Sequence, residues 1–255
     1  MAEYDYERAF ERINEIIEHQ SGYKEKHNIG SEDEFSEDCL YSGWVSCISV
    51  NISNIINFYK NRELQEYYKV MRSFSSEILR IFASSKLLIE YGLQGSYFYA
   101  IYFTPYQEDT YYVANKTFII NTFVKLFNKI LNDHGLLKIK IGIGMATLQD
   151  CVFRVTDIDK RLKVNVWIKG TKNIAVRLSD YAIKDKNKTL AFSRLSYDNF
   201  IKSLENINSQ ESPRDWFQKH VNEDEEYYTA DIVKTKFDQW IKNLEESRCM
   251  YCDGE

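Results

Sequence analysis

The chain has 255 residues, of which 44% are apolar and 28% are charged, and its net charge is −5. This length and composition are typical of a globular protein, and 10 Gly and 2 Pro are too few for a disordered chain or a turn-dense β-sandwich. The acidic balance argues against DNA or RNA as a partner, because phosphate binding needs a basic surface, but it allows a local Lys and Arg pocket for one nucleotide.

The sequence also carries features that bear on its compartment. An acidic amphipathic stretch opens the chain instead of a cationic and apolar leader, and no apolar run approaches the roughly 20 residues of a membrane helix. The five cysteines are scattered and odd in number, so no disulfide framework is predicted. Cys249 and Cys252 have the spacing of a redox or half-zinc motif, but no second pair accompanies them and unpaired thiols are expected. We therefore expect a cytoplasmic protein that binds no membrane.

Hydrophobic periodicity divides the first half of the chain into helices and strands. Residues 4–19 predict an amphipathic helix, which an acidic loop over 28–40 follows. Residues 44–50 form an apolar strand that ends at Asn51, and a short helix comes next. The other elements predicted in this half are a helix over 64–83, a hairpin with glycines at its turn over 86–105, and a helix over 107–133.

The second half begins with a strand over 136–147, in which apolar side chains alternate and predict one buried face. A further pairing over 150–156 and a strand over 163–168 follow. The next helix begins near Thr171, whose side chain we expect to cap it. The remaining predicted elements are a strand over 189–193 and a helix from Ser196.

The resulting order, β-α-α-β-β-α-β-β-β-α-β, predicts an α+β fold. It is a split βαβ, ferredoxin-like arrangement on a mostly antiparallel sheet with helices on one side. We divide the chain into an N-terminal helix and acidic loop over 1–40, a main domain over 41–208 and a C-terminal helical appendage over 209–255. We expect the appendage to dock on its own domain, with a partner-binding helix as the alternative.

The segment VNVWIKGTKNIAVRL, residues 164–178, is the strongest local signal for a functional site. A strand ends there at a glycine-containing turn, and the following helix places Asn173 and Arg177 four residues apart on one face. An amide and a planar guanidinium so placed can hold a ribose and a phosphate together. Taken alone, the segment is better explained as an amphipathic helix with an exposed Asn and an exposed Arg.

The ordered set of motifs resembles class III nucleotidyl cyclases, and in detail the pyrimidine (uridylate and cytidylate) cyclases of the Pycsar anti-phage systems. The matching pieces run in order over roughly residues 4–200, and they are ERINEII, GWVSCISVNIS, IEYGLQGSYFYAIYFTPY, IKIGIGMA and VWIKGTKNIAVRLS. The resemblance implies that 41–208 is a catalytic domain with the class III cyclase fold. It also implies a head-to-tail dimer with active sites shared by two chains. In such a site the ribose 3′-hydroxyl of a nucleoside triphosphate attacks the α-phosphate and pyrophosphate leaves.

The resemblance also implies roles for particular positions. Arg177 stabilises charge on the transferred phosphoryl group, and Asn173 orients the ribose. The family's two aspartates, which hold Mg²⁺ or Mn²⁺, fall on Asn51 and Ser96, so the metal half of the site is degenerate in this chain. Strand parity does not place Glu90, which lies near the second of these positions in the sequence.

Three more residues of the same segment are nucleotide-binding candidates, namely Trp167, Lys169 and Lys172. The two lysines stand where the family has a glycine and a small apolar residue. They either add positive charge near a triphosphate or are neutral changes on a solvated turn.

Three hypotheses follow from the resemblance and its departures. The chain is one half of a heterodimeric cyclase whose partner carries the metal aspartates. Alternatively, it is a catalytically inactive pseudo-cyclase that binds nucleotide or regulates a partner protein. The third hypothesis is an active homodimer with an altered metal site, for example one that uses Mn²⁺.

Overall fold

The computed structural model describes residues 5–27, 34–53, 64–157, 162–185, 187–207, 213–222 and 225–252. Within these ranges the helices are α1 Tyr6–Glu18, α2 Leu64–Ala83, α3 Gln107–Asp133, α4 Thr171–Lys184, α5 Arg194–Ile207 and α6 Thr235–Cys252. The strands are β1 Gly22–Glu25, β2 Cys39–Ile52, β3 Leu88–Gln94, β4 Tyr97–Phe103, β5 Ile141–Thr156, β6 Lys163–Trp167, β7 Leu190–Ser193, β8 Gln218–Val221 and β9 Glu226–Ala230. The short helix predicted after Asn51 lies outside the described residues.

The strands form one mixed sheet with the order β3-β4-β2-β5-β7-β9-β8. Strand β1 adds to β2 and strand β6 adds to β5. The pairings are antiparallel except for β1 with β2 and β5 with β7. The predicted α+β class and the mostly antiparallel sheet are therefore confirmed, although β1 was not predicted.

Helices cover both faces of the sheet, so the prediction that they lie on one side is wrong. On one face, Ile48, Val50 and Ile52 of β2 belong to a core formed with α2, α3 and α5. On the other face, Val45 and Cys47 belong to a smaller core formed with α4. The central strand β2 is buried on both sides, and apolar residues and small buried serines occur on it without a strict alternation. Its sequence therefore gave no sign of which face carries a helix.

Two glycines of β5 allow α4 to lie directly on the sheet. A Cβ atom at Gly142 would stand 2.1 Å from the carbonyl oxygen of Ser179, and one at Gly144 would stand 2.0 Å from that of Ala175. Either distance is too short for a real contact, so the helix can approach this closely because these positions lack a side chain. The register pairs Gly142 with Asn51, which brings the second half of α4 over the end of β2.

The C-terminal part adds strands to the sheet, which the prediction of a helical appendage over 209–255 did not include. Strand β9 pairs with β7, and β8 closes a hairpin against β9. The rings of Tyr197 and Tyr228 stack with centroids 3.7 Å apart, and Phe217 packs on Phe192 and Phe200. Helix α6 then follows within the range for which a helical appendage was predicted. The division of the chain into three parts stays a prediction.

Candidate functional site

Asn51 and Ser96, which the resemblance places at the two metal positions, meet where strand β2 ends. Asn51 pairs with Tyr97 of β4 and with Gly142 of β5, and it is 7% exposed. Ser96 lies in the turn between β3 and β4, after Gly95 with its positive φ of 62°, which suits a tight hairpin turn. The Ser96 hydroxyl donates to Oδ1 of Asn51 at 3.0 Å. The hairpin turn and the strand end therefore form one polar unit.

Helix α4 adds a carboxylate to this unit. Nδ2 of Asn51 donates to Oδ1 of Asp180 at 2.6 Å, and the Tyr97 hydroxyl donates to the same oxygen at 3.1 Å. Desolvation and then the negative charge of Asp180 raise the pKa of Tyr97 above its usual value. The phenol therefore keeps its proton and remains a donor. We call Asn51, Ser96, Tyr97 and Asp180 the β2-end network.

The β2-end network does not fit a two-metal site. Mg²⁺ and Mn²⁺ prefer several anionic oxygens, and this network contains one carboxylate. An amide N–H and a phenol O–H donate to that carboxylate, and the amide oxygen accepts from a hydroxyl. Throughout the part of the chain that the structure describes, no three His, Cys, Asp or Glu side chains are grouped to hold a metal ion. The polar groups of Asn51, Ser96 and Tyr97 are engaged in hydrogen bonds within the chain.

Glu90 belongs to a second polar cluster, beside the smaller core. Its Oε1 accepts from the Tyr99 hydroxyl at 3.0 Å, and its Oε2 accepts from the indole N–H of Trp167 at 2.9 Å. Nζ of Lys172 lies 4.4 Å from the centroid of the Tyr99 ring, within the range of a cation–π contact. Of the nucleotide-binding candidates, Trp167 thus contacts the Glu90 carboxylate and Lys172 contacts the Tyr99 ring beside it, whereas Lys169 is exposed on the turn before α4. Glu90 is bound here and not beside Asn51 and Ser96.

The buried side chain of Asp150 fixes the start of α4. Its carboxylate accepts from the backbone N–H groups of Lys169 at 2.7 Å and Thr171 at 3.0 Å, and from the Thr171 hydroxyl at 2.6 Å. An anion is favourable at this end of a helix because unpaired N–H groups and the helix dipole meet there. The cap position itself is Gly170, with φ of 80°, so the prediction that Thr171 caps the helix is wrong.

The guanidinium of Arg177 is bound by a carboxylate of the β8–β9 turn. Its Nε and Nη2 donate to Oε1 and Oε2 of Glu225 at 2.7 and 2.9 Å. Asn173 lies one turn earlier on α4 and is exposed. Arg177 therefore contacts the C-terminal hairpin. Asp180, on the same helix, contacts Asn51 at the end of β2. The two halves of the predicted site have separate partners within this chain.

Sequence reasoning missed Asp180 and Glu225. Asp180 is three residues after Arg177 and seven after Asn173, so the helical period already placed it on the same side of α4. Glu225 carried no such signal. It lies outside the span of the resemblance, and its place depends on the pairing of β9 with β7, which is a long-range contact.

The fold is shared with solved structures of nucleotidyl cyclases. The guanylyl cyclase Cya2 aligns with a TM-score of 0.60 and 10% identity over 76% of this chain and 94% of its own. The adenylyl cyclase CyaB from Pseudomonas aeruginosa aligns with a TM-score of 0.59 and 12% identity over 76% of this chain and 97% of its own. A class III adenylyl cyclase-like ATP-binding protein from Pseudomonas aeruginosa aligns with a TM-score of 0.60 and 12% identity over 89% of this chain and 47% of its own. The chain has the fold of class III nucleotidyl cyclases.

A comparison of sequences adds a relative of more particular activity. The chain is 25% identical to a uridylate cyclase from Treponema porcinum over 238 residues, which cover 93% of this chain and 81% of that protein. No family model matches the sequence. The similarity to class III cyclases, and to a pyrimidine cyclase among them, is confirmed. Among the described residues, none of the helices combines the length and apolar character that crossing a membrane requires.

Proposed function

We propose that this chain is a subunit of a pyrimidine nucleotidyl cyclase and supplies the Asn–Arg half of a shared active site. The reaction converts UTP or CTP into the 3′,5′-cyclic nucleotide and pyrophosphate. Arg177 binds the phosphoryl group and Asn173 orients the ribose. A partner chain with intact aspartates supplies the metal half. Similarity to a uridylate cyclase supports the choice of a pyrimidine, and the resemblance to Pycsar systems supports a role in anti-phage signalling.

This proposal rests on the difference between the two halves of the predicted site, the metal positions and the Asn–Arg pair. The polar groups of the β2-end network bind one another by hydrogen bonds, and the network has one carboxylate. It therefore lacks the anionic ligands that a divalent cation needs. By contrast, Arg177 is 46% exposed on α4 and its guanidinium is already engaged with an anionic group. A chain that keeps the anion-binding half and lacks the metal half needs a second, unlike chain to complete a site.

A complementation experiment within the same scaffold tests the shared site. The triple variant Asn51→Asp/Ser96→Asp/Arg177→Ala carries metal aspartates without the arginine, and the unaltered chain carries the arginine without the aspartates. We expect the mixture to form cyclic nucleotide from UTP or CTP with Mg²⁺ or Mn²⁺, whereas each chain alone forms none. Mass spectrometry of the product, with ATP and GTP for comparison, measures turnover and base choice together.

Two results of this experiment would contradict the proposal. Turnover by the unaltered chain alone, abolished by Arg177→Ala, would show a working homodimer with a metal site of another kind. A silent mixture, together with a silent Asn51→Asp/Ser96→Asp variant that retains its arginine, would show that the scaffold does not support the reaction.

A second candidate function is a pseudo-cyclase that binds a nucleotide or regulates a partner without turnover. The closed β2-end network favours it, because the hydrogen bonds of Asn51 are satisfied within the chain. Metal-independent binding of a triphosphate, lost in Arg177→Ala and without turnover in any mixture, would favour this candidate over the subunit.

A further inference from the structure

The β8–β9 hairpin places a carboxylate on the arginine to which we assign phosphate binding. Asn222 and Glu225 close the turn, since the Glu225 N–H donates to Oδ1 of Asn222 at 2.9 Å and the Asn222 N–H donates to the Glu225 carbonyl at 3.1 Å. The next residues hold the hairpin against α4, with the ring of Tyr227 4.9 Å from that of Tyr181. Glu225 is therefore presented to Arg177 from a fixed backbone.

The contact between the two side chains has the geometry of an arginine–phosphate pair. Two parallel N–H···O bonds of 2.7 and 2.9 Å join the guanidinium of Arg177 to the carboxylate of Glu225. Planar guanidinium groups bind carboxylates and phosphates in this same two-pronged way. The Glu225 side chain is 14% exposed and that of Arg177 is 46% exposed, so the carboxylate is more shielded from water than the guanidinium.

We propose that Glu225 is an intramolecular competitor for the phosphate site of Arg177 and sets the affinity of this chain for a nucleoside triphosphate. This inference rests on the proposed function of Arg177. A tethered group acts at a high effective concentration, so the carboxylate occupies the guanidinium in the free chain. A triphosphate binds when the Glu225 side chain releases Arg177, and its apparent affinity is the intrinsic affinity multiplied by the fraction of chains in the released state.

The size of the effect follows from that fraction. Charge-assisted, two-pronged contacts that hold the pair in roughly 90–97% of molecules would weaken the apparent affinity by roughly 10- to 30-fold. Removal of the Glu225 carboxylate is expected to increase the apparent affinity for the triphosphate by the same factor. This increase requires Arg177, because Glu225 and the triphosphate compete for its guanidinium.

Isothermal titration of the purified full-length chain with UTP, repeated with CTP, tests the proposal. We expect Glu225→Ala to bind roughly 10- to 30-fold more tightly than the unaltered chain, and Glu225→Ala/Arg177→Ala to bind no better than Arg177→Ala. Glu205→Ala is the matched control, because Glu205 makes a similar two-pronged pair with Arg214 at 2.9 and 3.3 Å. Glu226→Gln controls for loss of one negative charge beside the turn. Both controls should bind as the unaltered chain does.

The outcomes separate this inference from the function on which it rests. Equal or weaker binding by Glu225→Ala, with binding still reduced by Arg177→Ala, would overturn the competition and leave the role of Arg177 intact. Tighter binding that persists without Arg177, or that Glu226→Gln reproduces, would also overturn it, because the effect would then be one of net charge. Absence of UTP and CTP binding in every variant would remove both the competitor and the proposed phosphate site.

Discussion

The neutral amide of Asn51 donates a hydrogen bond to the carboxylate of Asp180. The substitution Asn51→Asp would place two carboxylates at hydrogen-bonding distance. In EDTA we expect this variant to lose about 1–3 kcal/mol of unfolding free energy, because like charges meet and one hydrogen bond is lost. Mn²⁺ should restore much of this stability by binding between the two carboxylates. Thermal unfolding in EDTA and in Mn²⁺ measures both effects.

The double variant Asn51→Asp/Asp180→Asn is the control for this prediction. It moves the carboxylate from the helix to the strand and leaves one negative charge, so it should be insensitive to both EDTA and Mn²⁺. A Mn²⁺ response of equal size in both backgrounds would contradict the role given to Asp180.

The hydroxyl of Tyr97 makes a prediction about alkaline pH. Its folded pKa is raised above the usual 10.0, first by desolvation and then by Asp180, so the protonated phenol stabilises the fold. This contribution is fully present below pH 10 and is lost as the pH rises through the folded pKa. We expect the unaltered chain to lose stability above pH 10 more steeply than Tyr97→Phe. Equal slopes for the unaltered chain and Tyr97→Phe would contradict this role of the phenol.

At the level of elements, the seating of α4 on β5 determines where the site residues lie. Gly144→Ala would bring a methyl group 2.0 Å from the Ala175 carbonyl, so the helix must move away from the sheet. We expect a loss of roughly 1–3 kcal/mol or more in urea unfolding. Gly22→Ala is the control, since its Cβ would meet Sγ of Cys39 at an ordinary 3.5 Å. Equal stability of the two variants would show that α4 does not depend on this close approach.

The elements also show what the sequence could and could not predict. Long periodic helices such as α2 Leu64–Ala83 and α3 Gln107–Asp133 matched their predicted ranges, because apolar spacing and chain-local contacts define them. The short strands β1, β8 and β9 were missed. They are four or five residues long. The pairing of β9 with β7 is distant in the sequence, and β8 joins the sheet only through β9.

In the candidate site, too, some contacts could be predicted from the sequence and others could not. The positions of Asn51 and Ser96 relative to each other follow from neighbouring strands, and the spacing of Asn173 and Arg177 follows from one helix. The contact of Arg177 with Glu225 required the complete sheet order, which no local pattern contains.

For the whole molecule, the C-terminal hairpin decides whether the chain contains one folding unit or a domain with a separable appendage. Strand β9 contributes the buried residues Tyr228, Thr229 and Ala230, and it covers the edge of β7. Phe217 packs on Phe192 and Phe200 of the larger core. These contacts bury apolar surface that a chain ending at residue 207 would expose, which favours a single unit.

We therefore expect truncation after residue 207 to abolish cooperative unfolding, with loss of the near-ultraviolet circular dichroism that reports fixed aromatic packing. Truncation after residue 244 is the control, because it keeps the hairpin and the buried Ile241 of α6, and it should unfold cooperatively. A shorter chain that remained soluble and unfolded cooperatively would establish 209–255 as a true appendage. In that case Glu225 would belong to a separable part of the molecule, and its removal with that part should tighten UTP binding as Glu225→Ala does.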